Sequence, residues 1–468
     1  MTAARSAPGP TGQAVDPAEP TDPGATGAPA VSDPAAADTT GGRRSSGAWW
    51  LAALLVAAAV LVSLQVHASP ILSPIDEFQH IDYLARASHF SIPREGDLVG
   101  QETMRAEACR KVDAVFTAPA CDATNLTPEQ FQEFGVDTAA SDPPLYYVTG
   151  GLVARGLQHG FGMDFVTAGR LVGVLWLWLA VIFTWLLLSE IGVPLAARAA
   201  AIGLMLASPA VLQSTTTVTS DATLLAVGAG LMWATVRWER GRLPLWVPAL
   251  IAGLGAAAKE TNLVAVGVAV VYLLLRALLH RDAVRRAVVA SIIVGGAGLA
   301  VSGAWLVAFD ARARVDARTL DMNRRFHVES LQADNILDSS RAMFPPVAFP
   351  ATPPPLRTPF TSAVADVTNW LLIGGLLSAV FYARRGGRLE AAAVAALVVL
   401  LVSGPLLVVT TFVFSSTYFP VPARYGLGVV PVLILLLATA LRKRAVQTVV
   451  SLLAGSAVLY TAIELALH

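Results

Sequence analysis

Charged residues are scarce in this chain of 468 residues. Asp, Glu, Lys and Arg make up 14% of it, whereas hydrophobic residues make up 55%. The apolar residues fall into repeated blocks of roughly 16 to 25, the length that crosses a bilayer as a helix. The charges also cancel, with 33 basic and 33 acidic residues, and this balance indicates no nucleic-acid partner. The composition therefore predicts an all-α polytopic membrane protein with the lipid bilayer as its main partner.

Cysteine is rarer still, because the sequence contains only Cys109 and Cys121. Both fall in a segment that we predict below to lie outside the membrane, where an oxidising environment would permit a disulfide. Such a bond would close a loop of about twelve residues and could hold it in a fixed shape. Two unrelated free thiols are the alternative.

The N-terminal segment has no apolar periodicity. Residues 1–46 are rich in Ala, Pro, Gly, Thr and Asp, so we expect a disordered cytoplasmic tail. The first apolar run, from about Gly47 to His67, starts late and follows Arg43 and Arg44. It therefore predicts an uncleaved first span with a cytoplasmic N-terminus, not a signal peptide. Residues 47–468 would form one transmembrane domain of the plasma (inner) membrane.

Short basic loops order the later spans, because Arg and Lys mark the cytoplasmic side of a membrane protein. Four such loops follow the first span, and if all lie inside, an even number of crossings separates each pair. This parity splits residues 243–279 into two spans. It also makes the stretch from Asp142 to about Gln158 an interfacial helix, with Tyr146 and Tyr147 at headgroup level.

The result is about eleven spans with two long outer loops, at about 68–165 and about 309–362. The predicted spans are 48–67, 166–189, 195–212, 220–237, 243–258, 262–279, 285–308, 363–383, 389–414, 422–441 and 446–466.

Under this topology, several polar residues gather at the outer boundary. They are Asp76, Glu77, His80, Asp142, Tyr146, Asp221, Lys259, Glu260, Arg424 and Tyr425. Carboxylates beside a bilayer are costly to desolvate, which favours a functional role. We therefore expect a pocket at the outer leaflet, with acids for a hydroxyl-bearing substrate and cations for an anionic one.

Several of these residues also have simpler interpretations. Asp142 and Asp221 could cap the helices that follow them. Arg424 could extend toward lipid headgroups, and Lys259 and Glu260 could only mark the end of a span.

Asp76 and His80 are four residues apart, so a helix would place them on one face. A divalent metal site is one interpretation of that spacing. The spacing lacks the first histidine of the zinc-protease pattern, so we favour a role in which His80 orients a carboxylate by hydrogen bonding.

The order of these motifs resembles the GT-C superfamily of membrane glycosyltransferases, and most closely its protein mannosyltransferase-like and Asp-Glu-x-x-His outer-loop branches. The resemblance covers about residues 48–441. It rests on Asp76-Glu77-x-x-His80, Asp142-Pro143-Pro144-Leu145-Tyr146-Tyr147, Arg170 in the second span, Ser220-Asp221 and Arg424-Tyr425.

The resemblance implies transfer of a sugar from a polyprenyl-phosphate donor to an envelope glycan, lipid or protein on the outer side. An acid of the first outer loop would be the general base, a role that falls on Asp76 with Glu77 as second candidate. Arg424 or Lys259 would stabilise the phosphate leaving group. The sequence departs from the family in carrying Asp142 where His is usual before the two prolines, and Phe78 where Pro commonly follows the Asp-Glu pair.

Two other classes remain as alternatives. A transporter or lipid flippase would place charges near the midplane and often shows paired broken helices or an internal repeat, whereas here the candidates cluster at one edge. A non-catalytic scaffold of the cell envelope would explain the disulfide and the tail equally well.

Overall fold

The computed structural model of the chain describes residues 40–112, 116–279, 284–314, 324–344, 347 and 358–468, with side chains from Ser46 onward. The chain divides into two compact units, Met1–Ser45 and Ser46–His468. The predicted disordered tail falls almost entirely outside the described residues, so that prediction stays open. All contacts below belong to the second unit.

The protein is all-helical, as predicted, with 77% helix and no strand among the described residues. The helices are α1 Thr40–Ala68, α2 Glu77–Ala87, α3 Gln101–Arg110, α4 Leu145–Phe161, α5 Phe165–Leu171, α6 Gly173–Ile191, α7 Leu195–Leu206, α8 Pro209–Thr216, α9 Leu224–Glu239, α10 Trp246–Ala258, α11 Leu263–Leu279, α12 Val284–Asp310, α13 Ala333–Ala342, α14 Pro359–Tyr382, α15 Arg388–Ser415, α16 Val430–Ala440 and α17 Arg444–Ala466. Short 3-10 turns at Ser220–Thr223, Glu260–Asn262 and Ala423–Val429 lead into α9, α11 and α16.

Eight helical segments in the described ranges are long and apolar enough to cross a membrane. A ninth crossing is added if α7 and α8, which meet at a bend of 63°, form one broken span. Helices α9 and α10 stand where two further spans are predicted, but they have 16 and 13 residues. The protein is therefore polytopic, and the count of eleven crossings remains a prediction.

Glycines bring together the segments that later form the site. A Cβ on Gly173 would lie 1.5 Å from the carbonyl oxygen of Thr215, and one on Gly228 would lie 2.0 Å from that of Gly428. Small residues allow this close backbone approach between membrane helices. Gly173 thus lets the end of α8 pack against α6, and Gly228 lets the turn before α16 pack against α9.

Helix α4 has 17 residues and is not among the segments apolar and long enough to span. The prediction that its tyrosines face the headgroups is wrong, since Tyr146 and Tyr147 are 1% and 0% exposed. The Tyr147 ring instead stacks on Tyr83 with centroids 3.8 Å apart. A buried phenol requires a hydrogen-bond partner, and Tyr147 finds one in Asp142.

The predicted disulfide between Cys109 and Cys121 is confirmed. It ties the end of α3 to the loop that follows. That loop has a small apolar core of its own, in which Phe78 packs with Met104 and Phe131. The first long loop is thus a folded structure joined to the start of α2.

Candidate active site

Asp76 occupies the junction where the loop after α1 turns into α2. Its backbone is left-handed, with φ 56° and ψ 4°, and its side chain makes no capping hydrogen bond although it stands at the N-cap position. The side chain is 58% exposed, and the nearest cation is Arg424, whose Nη2 lies 3.8 Å from Asp76 Oδ2. Backbone strain of this kind concentrates at functional sites.

Asp76 opens onto a cavity of about 210 Å³ that most of the predicted site residues line. These lining residues are Asp76, His80, Asp142, Asp221, Lys259, Arg424 and Tyr425. They come from five distant parts of the chain, which the fold brings together at one end of the helices.

Two cations and Asp221 form the centre of this cavity. Lys259 Nζ lies 3.4 Å from Asp221 Oδ1, and Arg424 Nε donates to Asp221 Oδ2 at 2.7 Å. The guanidinium of Arg424 also lies over the ring of Tyr425, 5.5 Å from its centroid. Asp221 is 3% exposed, so its carboxylate is held and neutralised from both sides.

Asp142 is held by three donors that share one oxygen. Its Oδ2 accepts hydrogen bonds from Tyr147 at 2.7 Å and Ser220 at 2.5 Å, and Lys259 Nζ lies 3.3 Å away. Burial opposes ionisation, but the positive charge of Lys259 and these hydrogen bonds outweigh it and lower the pKa of Asp142 to about 2. Asp142 is therefore a carboxylate over the whole physiological range.

Neither acid is the N-cap of the segment that follows it, although Asp221 stands in the first turn of its 3-10 segment, as expected for an acid at a helix start. The N-cap of α4 is Pro144, with no side-chain cap, and the N-cap of the turn that contains Asp221 is Thr219. Arg424 does not extend to headgroups, since it is held by Asp221. Lys259 is 7% exposed, and opposing carboxylates outweigh burial to raise the pKa of its ammonium group.

His80 reaches Asp142 through Tyr147. Its Nδ1 lies 2.6 Å from the Tyr147 hydroxyl, which in turn donates to Asp142. Burial and, secondarily, the charge of Lys259 lower the pKa of His80, although the nearby carboxylates oppose them. The predicted orienting role of His80 thus has a matching contact, with Tyr147 as the intermediate.

Glu77 does not reach the cavity, which corrects its assignment as second candidate for the base. It is fully buried, and its oxygens accept hydrogen bonds from Arg170 Nε at 2.8 Å and Nη2 at 2.7 Å. The amides of Ser73 and Val218 donate to the same carboxylate at 2.7 and 3.0 Å. Burial would raise the pKa of Glu77, but the Arg170 charge and these hydrogen bonds lower it. Glu77 therefore ties the first loop to α5.

Tyr146 and Glu260 also stand outside the cavity lining. Tyr146 is buried edge-on against Tyr147, so it supports the site without facing it. Glu260 opens the short turn before α11. Neither residue contacts the cavity as predicted.

Uncharged polar residues complete the cavity, and the sequence reasoning did not assign them to it. Ser73, Thr138, Gln213, Ser214 and Thr217 line its wall. Gln213 Nε2 donates to Ser73 Oγ at 3.3 Å. The run of polar residues from Gln213 to Ser220, interrupted only by Val218, was the available signal, because it follows an apolar segment.

The donor set does not fit a metal ion. In the described part of the chain, no three His, Cys, Asp or Glu side chains are grouped so that they could hold one. Asp142 and Asp221, the two buried acids of the cavity, are already engaged by Lys259 and Arg424.

Among the solved structures that this chain resembles are two helical membrane proteins, both with low sequence identity. ArnT from Cupriavidus metallidurans, bound to undecaprenyl phosphate, is 14% identical with a TM-score of 0.43, and the match covers 86% of this chain and 61% of that one. The archaeal oligosaccharyltransferase AglB from Archaeoglobus fulgidus, in complex with an inhibitory peptide and a dolichol-phosphate, is 13% identical with a TM-score of 0.46, covering 89% and 55%.

Both of these structures belong to the GT-C superfamily that the sequence resembles. No family model matches the chain, and no curated protein does. The chain spans less than two thirds of either structure. At these TM-scores the likeness carries no conclusion about activity, which has to come from the contacts of the site itself.

Proposed function

We propose that the protein is a membrane glycosyltransferase. It moves a sugar from a polyprenyl-phosphate donor to a hydroxyl-bearing envelope acceptor at the outer leaflet of the plasma membrane. The observation that carries the proposal is that the three carboxylates in the cavity differ in their distance from the nearest cation. Asp142 and Asp221 are fixed by cations within 3.4 Å, whereas the one cation near Asp76 in the described part of the chain is Arg424, at 3.8 Å.

Asp76 is therefore the carboxylate with free capacity to accept a proton. An alcohol is a weak nucleophile, and a positioned carboxylate can take its proton as the new bond forms. The acceptor oxygen attacks the anomeric carbon of the sugar, and the bond from that carbon to the phosphate oxygen breaks. The proton passes to Asp76, and polyprenyl phosphate leaves with the electron pair.

Arg424 is placed to assist the leaving group. A phosphate that departs from a sugar carries negative charge, so it needs charge stabilisation more than protonation. The guanidinium bonds Asp221 through Nε and approaches Asp76 through Nη2, which sets it between the base and the centre of the cavity. Lys259, behind it, adds a second positive charge close to the same acid.

One feature favours a transporter or flippase as a second candidate. The broken pair α7 and α8 contributes Gln213, Ser214 and Thr217 to the cavity, and broken helices line the substrate sites of many transporters. Within the described ranges this is a single bent pair, not two. Asp76 and His80 come from loop-side residues outside the span candidates, which favours chemistry at the membrane surface.

The test is to supply purified full-length protein, in vesicles, with a panel of labelled polyprenyl-phosphate sugars and envelope acceptors. The proposal predicts a new covalent sugar–acceptor product and one released polyprenyl phosphate per transfer. Movement of label across the bilayer without a new bond would establish the transporter. Binding without either result would establish the scaffold.

A further inference from the structure

The hydrogen bonds around Tyr147 determine where the proton of His80 is located. The Tyr147 hydroxyl has one hydrogen, and it lies 2.7 Å from Asp142 Oδ2 and 2.6 Å from His80 Nδ1. Asp142 faces three donors and is ionised, so it can only accept. The phenol hydrogen must then point to Asp142, and the phenol oxygen must accept a hydrogen bond from Nδ1–H of His80.

The second nitrogen of His80 has no such partner. Among the described residues, no donor or acceptor contacts Nε2. His80 lines the cavity, and its amide bonds the carbonyl of Asp76, one turn earlier on the same helix face. The charged groups around the ring are Asp76, Asp142, Asp221 and Lys259. Burial of the ring and the positive charge of Lys259 outweigh the three carboxylates and lower the pKa of His80, so the imidazole is neutral, with its lone pair on Nε2.

We propose that His80 presents an unprotonated Nε2 to the cavity as a fixed hydrogen-bond acceptor for a substrate hydroxyl, and that Asp142 and Tyr147 impose this tautomer. The inference rests on the proposed function and adds substrate selection to it. An unprotonated nitrogen cannot bond a phosphate oxygen that carries no proton. The hydroxyl-bearing part of the substrate therefore lies on the His80 side of the cavity, and the phosphate lies on the Arg424 side.

The tautomer can be measured without turnover. In full-length protein labelled with 15N-histidine, we expect the His80 resonances to show a pyrrole-type Nδ1 and a pyridine-type Nε2, assigned by their loss in His80→Gln. Tyr147→Phe should replace this single form by a mixture. A protonated ring, or a pyrrole-type Nε2 in the wild type, would overturn the inference.

Two substitutions separate substrate contact from support of Tyr147. Asn retains a donor near the Nδ1 position, whereas Gln retains an acceptor near the Nε2 position. If Nε2 contacts substrate, His80→Gln should keep KM close to wild type and His80→Asn should raise it about tenfold, the effect of one lost hydrogen bond of ~1.4 kcal/mol. The exposed His159→Gln is the matched control. An equal loss in both variants, or better activity with Asn, would show a purely structural role and refute substrate contact.

The two proposals fail in different ways. If no sugar is transferred but Nε2 is pyridine-type, the proposed function fails and the tautomer assignment stands. Transfer by a protein whose His80 is protonated would sustain the function and refute the assignment. Adding polyprenyl phosphate alone should leave the Nε2 resonance unmoved, and adding the sugar-bearing lipid should shift it. A shift caused by the phosphate alone would contradict the orientation of the substrate.

Discussion

Asp76 and Glu77 are adjacent carboxylates, but substitution of Glu77 should lower the free energy of unfolding strongly, whereas substitution of Asp76 should hardly change it. Glu77 is fully buried and accepts hydrogen bonds from Arg170 and two backbone amides. Arg170, 2% exposed, also donates to the carbonyl oxygens of Ser69 and Ile71. Glu77→Ala leaves a buried guanidinium without a counter-charge and two amides without acceptors.

The expected cost of Glu77→Ala is about 3–5 kcal/mol of folding free energy, the range found when one partner of a buried ion pair is removed. Asp76→Asn should cost less than about 0.5 kcal/mol, because its side chain is largely exposed and asparagine tolerates a left-handed backbone. The double change Glu77→Leu with Arg170→Met should recover part of the loss, since it removes both charges together.

Unfolding of purified protein in detergent, followed by tryptophan fluorescence against denaturant, would measure these differences, with the exposed Asp122→Asn as the control for a lost carboxylate. A Glu77→Ala variant with wild-type stability and abolished turnover would refute the structural role of Glu77. It would also return that residue to the list of candidate bases.

Three further outcomes are expected. Arg424→Gln should lower kcat about 10²- to 10³-fold in the transfer assay by removing a charge that stabilises the leaving group, whereas exposed Arg105→Gln should leave kcat unchanged. Burial raises the pKa of Glu107 from 4.5 to about 7, so the contribution of Glu107 to the unfolding free energy should be greatest below pH 4.5 and fall as the pH rises from 4.5 to about 7. Glu107→Gln should remove this fall, measured as the difference from wild type in denaturant titrations at each pH. The pair Cys109→Ser and Cys121→Ser should cost about 3 kcal/mol of stability because it frees a closed loop, measured by unfolding under oxidising conditions, where equal stability would argue against that contribution.

The sequence predicts the fold class well because the signal is repeated many times along the chain. Long apolar segments such as Val284–Asp310 and Arg388–Ser415 identify membrane helices by length alone. Helices α9 and α10 are harder cases, because parity of basic loops predicts a crossing while their lengths fall short. The parity argument fixes whether the number of crossings between two basic loops is even. It does not predict whether the helix that makes a crossing is broken, or is extended by a turn.

The charged residues of the cavity were predictable as a group, since charged side chains are scarce in and beside membrane spans. The pairing among them was not. Arg170 contacts Glu77, which lies 93 positions away in the sequence. An arginine in an apolar span predicts that an acid pairs with it, but it does not predict which acid. The orientation of a helix decides such choices, and Glu77 lies one position after Asp76, so a turn of about 100° sends it to a different face.

The most direct test of the central claim compares Asp76→Asn with Asp76→Glu and wild type in the transfer reaction, at equal concentrations of folded protein. We predict that Asn lowers kcat about 10²- to 10⁴-fold, as expected for loss of a general base, and that Glu retains part of the activity. Full turnover by Asp76→Asn on a donor that the wild type uses would show that the proton goes elsewhere and would contradict the mechanism proposed for this cavity.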